Sequence, residues 1–365
     1  MQTAVFHIHD IVTENQFKLV KTIGELGALL WDAEINDLKQ YLEDLNILID
    51  NVLDAFALID PAKILVKIKL HLLKHIPEHI HRFGPAVQFS TEVFECFNAV
   101  FRMSSVLSNH QAPSRDIAVK NCDMGWIKHL LTGGLWQQNG QMKSAGIDAV
   151  AVLKNNPIIQ RHPGWVPPHG SKPGSVCCPG QEKCTMIEGN KTQASTAICE
   201  SGLEHVDILA SKWIVGTHVT AQSGDSCPVG SWVIVHFKIQ SSENTTQTFI
   251  GQIDEILCDN QRSHNIVTVT EFTLAEGLHH YYGMPVLHQP QKQYVITPES
   301  LQFIINVQHD CRAAGCAPTD TRKQRQERLD SDREISIIKH NYDDIHYIIN
   351  THALHNAAKL CQFLP

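Results

Sequence analysis

Two thiols and an imidazole fall within eight residues near the carboxyl end, in the run His309-Asp-Cys311-Arg-Ala-Ala-Gly-Cys316. A borderline-soft ion such as zinc takes thiolate sulfur and imidazole nitrogen in a closed tetrahedron. The short loop offers three ligands, so a fourth must come from further along, and His340, His352 and His355 are the candidates. The alternative is a pair of buried free thiols beside an ordinary histidine. Cys177, Cys178, Cys184 and Cys199 form a second, weaker cluster, because adjacent cysteines seldom both bind one ion. The chain has 11 cysteines, and its first residues, MQTAVFHIHD, lack the charged-then-apolar pattern of a signal peptide. Reduced thiols or metal ligands are therefore expected, not a disulfide framework.

Three other groups of residues could do chemistry. His71 and His75 stand at i and i+4, on one face of a helix, with His79 continuing the row. That spacing can hold zinc, but Leu72, Leu73 and Ile76 surround the pair and no metalloprotease glutamate lies between, which favours hydrogen-bonded structural histidines. Glu92, Glu95, Asn98 and Arg102 share a polar helical arc opposite Val93, Phe97, Val100 and Phe101. One face of that helix is buried and the other either lines a site or is simply solvated. Trp232 and Phe272, with Tyr281 and Tyr282, could form an aromatic pocket for a methylated lysine, although core packing explains the same rings.

The elements that must position these groups change character along the chain. From Gly24 to Ala57, Leu38, Tyr41, Leu42, Leu45, Leu48, Val52, Leu53 and Phe56 recur at helical steps, and Asp60-Pro61 ends the run. A second helix is expected from Ile64 to about Arg82, and a third from Thr91, an N-cap residue, to about Leu107. An amino-terminal run, Ala4 to Val12, reads as β-like and carries Asp10. Prolines and glycines between Pro157 and Glu204 suggest a linker. Beyond Trp213 short strands follow: 232–237, 249–253, 266–272, 294–296 and 303–305, at intervals suited to a small barrel or curled sheet. Residues 319–333 are charged and expected to be solvated, and a last helix is expected within 352–364.

Of the 365 residues 43% are hydrophobic and 19% charged, as in ordinary globular proteins. The net charge of -8 gives no general attraction to nucleic acid, so DNA is a partner that the charge does not indicate. No run of about 18 apolar residues would cross a membrane. An intracellular location is expected, and a nuclear one is compatible with it.

The segment Lys69-Leu-His71-Leu-Leu-Lys-His75-Ile-Pro-Glu-His-Ile-His-Arg82-Phe83-Gly84-Pro85, followed by Thr91-Glu92-Val-Phe-Glu95 and Ser108-Asn109-His-Gln-Ala-Pro113, resembles the carboxyl-terminal region of CACTA-type and Kyakuja–Dileera–Zisupton-type transposases. The likeness is to the form found in mushroom-forming (basidiomycete) fungi, and Asn306-Val-Gln-His309-Asp-Cys311 and Asn350-Thr-His352-Ala-Leu-His355-Asn356 extend it. The resemblance implies an RNase H-like core in which three acids hold two magnesium or manganese ions. Glu92 or Glu95 would match the third acid. Asp10 alone cannot replace the two earlier strand-borne aspartates, so complete metal chemistry is not expected. The strands around Gly230-Ser-Trp232-Val-Ile-Val235 and Ile250-Gly-Gln-Ile253 are similar to a bromo-adjacent homology domain, which implies a protein partner, often in chromatin.

The expectation is thus an α+β chain: a mainly helical RNase H-like transposase fragment (1–156), a Pro/Gly/Cys-rich linker (157–204), a small β-barrel-like module (205–310) and a Cys/His-containing tail (311–365). The expected function is a non-catalytic, transposon-derived protein whose β module makes protein contacts and which holds a structural zinc. The competing expectation is a DDE-type transposase or nuclease completed by another chain or by missing amino-terminal sequence.

Overall fold

A computed structural model describes residues 2–8, 10–91, 98, 101–102, 104–106, 108, 111–156, 160, 172–179, 185–199, 203, 206–209, 211–238, 246–259, 264–288, 292–326, 329–340 and 346–364. The chain is mixed α+β, helical in its amino-terminal half and β-rich in its carboxyl-terminal half. It divides into two compact units, Met1–Gln88 together with Ser171–Pro365, and Phe89–Gly170.

In the larger unit the chain starts with helices α1 (Ala4–Ile8), α2 (Glu14–Leu30), α3 (Leu38–Ile59), α4 (Ala62–Val66), α5 (Ile68–Leu73) and α6 (Ile76–Phe83). Thr13 and Gln16 form a capping box at the start of α2, each side chain accepting from the other's backbone N–H. Asp37 caps α3 by accepting from the Gln40 amide at 3.0 Å. The single helical pattern expected from Gly24 to Ala57 is therefore two helices, with the turn at 31–37 made where Asp37 can cap the second. Of the periodic residues, Tyr41, Leu45 and Val52 are buried with Leu26, Ile49 and Ile80, Leu42, Leu48, Leu53 and Phe56 pack against them, and Leu38 is exposed. The single helix expected from Ile64 to Arg82 is three short ones. Pro77 lies in the first turn of α6, where its missing N–H costs nothing, but it could not continue α5. Of the run Ala4 to Val12 expected to be β-like, Ala4–Ile8 is the helix α1.

The smaller unit contains α7 (Pro113–Leu131), the hairpin β1 (Leu135–Gln138) and β2 (Gln141–Ser144), and α8 (Ile147–Asn155). Asn139 and Gly140 both have positive φ, 53° and 75°, as a two-residue hairpin turn requires.

The β part of the larger unit opens with β3 (Val176–Cys177), β4 (Met186–Glu188), β5 (Ile198–Cys199), β6 (Lys212–Val215), β7 (His218–Thr220) and β8 (Ser226–Pro228). The long strands follow as β9 (Trp232–Lys238), β10 (Thr246–Asp259) and β11 (Asn265–Leu278). Shorter ones complete it: β12 (Pro285–His288), β13 (Gln293–Ile296), β14 (Leu301–Ile305), β15 (Val307–His309), β16 (Pro318–Gln326), β17 (Leu329–Ile338) and β18 (Tyr347–Ile349), then helix α9 (Ala357–Phe363). The main sheet runs β14-β9-β10-β11-β12-β18-β15, with β13 on β11, β5 on β13, β6 on β10 and β4 on β6.

The barrel-like module expected from strand spacing is an open sheet among the described residues. Strand β11 changes neighbour partway, pairing β13 through Val267–Thr270 and β12 from Thr273 onward, so the sheet branches instead of closing. Its faces are both buried, as strand alternation requires. Val233, Val235, Phe237, Ile253, Val267 and Val269 face one core, while Trp232, Ile234, Ile250 and Phe272 face another that Leu287, Ile349 and Leu360 cover.

Two expected boundaries move. Within the stretch 157–204 expected to be a linker, the described strands β3, β4 and β5 pair with β7, β6 and β13, and Ala194 packs with the fully buried Trp213. Cys178 joins Cys258 of β10 in a disulfide, contrary to the expectation of reduced thiols throughout. Nor do the first helices stand apart from the β part. Val5, 1% exposed, packs with Tyr282, Met284 and Ile348, and Asn350 Nδ2 donates to the Gln2 carbonyl at 3.1 Å.

Candidate metal centre

Strand β15 fixes the first ligand, because His309 is in register with Tyr347 of β18 and the Tyr347 ring stands edge-on to the imidazole at 5.4 Å. The chain then turns tightly. Asp310 accepts from the Arg312 and Ala313 amides at 3.1 and 3.0 Å, the Ala314 amide donates to the Asp310 carbonyl, and the Cys316 amide donates to the Cys311 carbonyl at 2.8 Å. Gly315 closes the turn at φ 64°, a conformation that side chains disfavour. These bonds bring Cys311 and Cys316 to the same side as His309.

The fourth group arrives by a hairpin. Among the described residues strands β16 and β17 pair only with each other, from Pro318 opposite Ile338 to Gln326 opposite Leu329, and so return the chain to His340. One ligand atom from each of His309, Cys311, Cys316 and His340 lies within 4.8 Å of the others. Cys311 Sγ is 3.3 Å from His340 Nδ1, and Cys316 Sγ is 3.8 Å from His309 Nδ1. In a tetrahedron with zinc bond lengths of about 2.3 Å to sulfur and about 2.05 Å to nitrogen, sulfur and nitrogen stand about 3.6 Å apart. The two observed separations bracket that value. A metal ion such as zinc could therefore be held by these four residues with small adjustments of side-chain torsions.

The electrostatics around the cluster suit a cation that displaces protons. Burial pushes the Cys311 thiol up, and the neighbouring Cys316 sulfur and Asp310 carboxylate add to it. A thiol that resists ionising beside a second sulfur is what a dication would relieve. Burial would also raise Asp310, but the Ala313 amide and His279 outweigh it and hold the carboxyl below its usual range. His279 Nδ1 accepts from the amides of Tyr281 and Tyr282, so its Nε2 carries the proton and donates to Asp310 at 3.0 Å. This bond braces the loop from outside the ligand set.

The other expected site residues lie elsewhere. His352 is 2% exposed and packs against Gly24 of α2, and His355 Nε2 meets Asp225 at 2.8 Å, so neither joins the cluster. His71 and His75 do approach, Nε2 to Nε2 at 3.2 Å, but as an exposed pair with the helix broken between them. His79 stacks on Phe83. Trp232 and Phe272 are buried with ring centroids 4.5 Å apart, and Tyr347 lies against both, so these rings are core and present no open face to a ligand. Tyr282 is buried in a different cluster. Arg102 is exposed and belongs to the smaller unit, and Glu92 and Glu95 lie outside the described residues. Asp10 is exposed beyond the end of α1. Cys177 and Cys199 are exposed thiols, and Cys184 lies outside the described residues. The bracing pair of His279 and Asp310 was missed; the run His279-His280-Tyr281-Tyr282 before a glycine was its only signal.

Residues 174–365 match a protein family described as a domain of unknown function, DUF8590. All four cluster residues fall within that range, as do β3 to β18 and α9. No curated protein and no solved structure gives a match. Among the described residues no helix is long and apolar enough to cross a membrane.

Proposed function

The chain belongs to the DUF8590 family, and we propose that it is a non-catalytic, transposon-derived protein whose β-rich part is stapled by a structural zinc and makes protein contacts. The observation that carries this reading is the convergence of two cysteines and two histidines from a braced loop and a hairpin. Four protein ligands complete a tetrahedron and leave no open position for water or substrate, which is the arrangement of a structural and not a catalytic zinc. The staple holds together what hydrogen bonding alone holds weakly. An isolated two-stranded ribbon is marginal in water, and here both ends of the hairpin, Cys316 and His340, are ligands. Support for the transposase ancestry is the resemblance of the 69–113 block, in which one candidate acid cannot organise two metal ions.

The test is a cleavage and strand-transfer assay of the full, zinc-loaded chain on DNA with magnesium or manganese. The expected result is no product. Product that disappears in Glu92→Gln or Glu95→Gln would overturn the reading in favour of a transposase completed by another chain.

A further inference from the structure

A groove of about 770 Å³ opens between α2, α3 and α9, and none of the residues discussed so far as ligands lines it. Its floor is apolar: Leu29 from α2, Ile35 from the turn, Ile47 and Leu48 from α3, and Ala358 from α9. Ile47 is 60% exposed, so its side chain is open to a partner in the groove. Around this floor stand five carboxylates, Glu25, Asp32, Glu34, Asp37 and Asp44, and no lysine or arginine.

Among the described residues, Lys21 is near enough to Glu25 to act on it, but the carboxylates of the rim are not ion-paired. No salt bridge reaches any of the five among the described residues; Lys39, on the same helix, pairs instead with Glu43. Asp37 is occupied in capping α3, and Asp44 accepts from Gln40 at 3.0 Å. Burial pushes the Asp32 carboxyl up to about 6, and burial also raises Glu25, with Lys21 opposing it. An uncharged apolar partner that covered the floor would bury these carboxylates without a counter-charge, which is unfavourable. A partner that carried lysine or arginine around an apolar anchor would satisfy both parts of the groove.

We propose that this groove is a docking site for a short basic, amphipathic segment of a partner protein, with its apolar side chains on the Leu29–Ile47 floor and its cations on Glu25, Asp32, Glu34 and Asp44. The inference goes beyond the contacts proposed for the β-rich part, because the groove lies on α2, α3 and α9. The volume lies within the range of clefts that take ligand-sized groups. Basic helices in acid-rimmed apolar grooves are read as anchors at i, i+3 and i+4.

The experiment is fluorescence anisotropy with the full, zinc-loaded chain and two labelled probes: a synthetic peptide of alternating Lys/Arg and Leu at helical spacing, and the same peptide with Glu in place of Lys and Arg. The basic probe should bind, and binding should weaken at least tenfold in Asp32→Asn/Asp44→Asn and in Ile47→Ser, whose side chains are partly or largely exposed. Added salt should weaken it further. Unchanged circular dichroism would show that the variants fold, and if they do not, Glu34→Gln serves as the exposed replacement. Equal binding of both probes, unchanged affinity in the variants, or a dimer of this chain that Ile47→Ser dissociates would overturn the proposal. Zinc content measured on the same sample separates this outcome from failure of the staple: a zinc-loaded chain that ignores the basic peptide refutes the groove alone.

Discussion

Cys311 and His340 are 29 positions apart in sequence and 3.3 Å apart in space, so the identity of the fourth ligand can be tested by single substitutions. His340→Ala should remove bound zinc, while His352→Ala and His355→Ala should retain it, as read by metal analysis of each purified chain. The loop ligands were legible because three soft donors stand within eight residues. The choice among His340, His352 and His355 was not, because spacing alone treats them alike and the hairpin makes the selection. His352 has a different role. Burial lowers its pKa to about 4, Lys21 adding to the effect, and among the described residues its Nδ1 has no hydrogen-bond partner. A histidine whose folded pKa lies below its unfolded value of about 6.5 takes up protons on unfolding, so stability is full above pH 6.5 and falls as pH drops toward 4. The loss reaches about 3 kcal/mol at the acid end. Urea melts at pH 7 and pH 5 should show a steeper acid loss in the native chain than in His352→Asn; parallel losses would assign the acid sensitivity to other groups.

At the scale of elements, apolar alternation revealed the long strands and concealed the short ones. Strands β9, β13 and β14 fall where the sequence puts them, since each carries an unbroken apolar run. Strands β3, β4 and β5 are two or three residues long among prolines and glycines, and no period can register over such a length. Strands β16 and β17 escaped for another reason: Thr319 to Lys323 are all exposed, so polar side chains hide the period of 2 that a half-buried strand would show. The Asn139-Gly140 pair between two short strands is a hairpin signal that the sequence does carry. With so little of the hairpin buried, the proposed zinc would be its main attachment to the sheet. Removal of zinc by a chelator should accelerate amide exchange through 318–326 and 329–338 while β9, β10 and β11 keep their protection. Uniform loss across the sheet, or no change in the hairpin, would contradict the assignment of the staple to this element.

Across the whole molecule, the expected succession of helical domain, linker and β module is replaced by a unit in which the first and last segments of the chain meet. Gly24 leaves room for the His352 ring, and Asn350 reaches the Gln2 carbonyl. Such contacts join residues more than 300 positions apart, and no local pattern in the sequence announces them. The mixed α+β class was legible, because helical and strand periods occupy different halves. The division into units was not, since it depends on these long-range pairings. Within the larger unit, one ion at His309, Cys311, Cys316 and His340 would fasten the hairpin to the β15–β18 edge of the sheet. The most direct measurement of that claim is metal analysis combined with X-ray absorption at the zinc edge on the full chain, beside Cys311→Ser/His340→Ala. One zinc per chain, with two sulfur neighbours at about 2.3 Å and two nitrogen neighbours at about 2.0 Å, absent from the double variant, is the predicted result. A chain without zinc, or one whose zinc survives the double substitution, would contradict it.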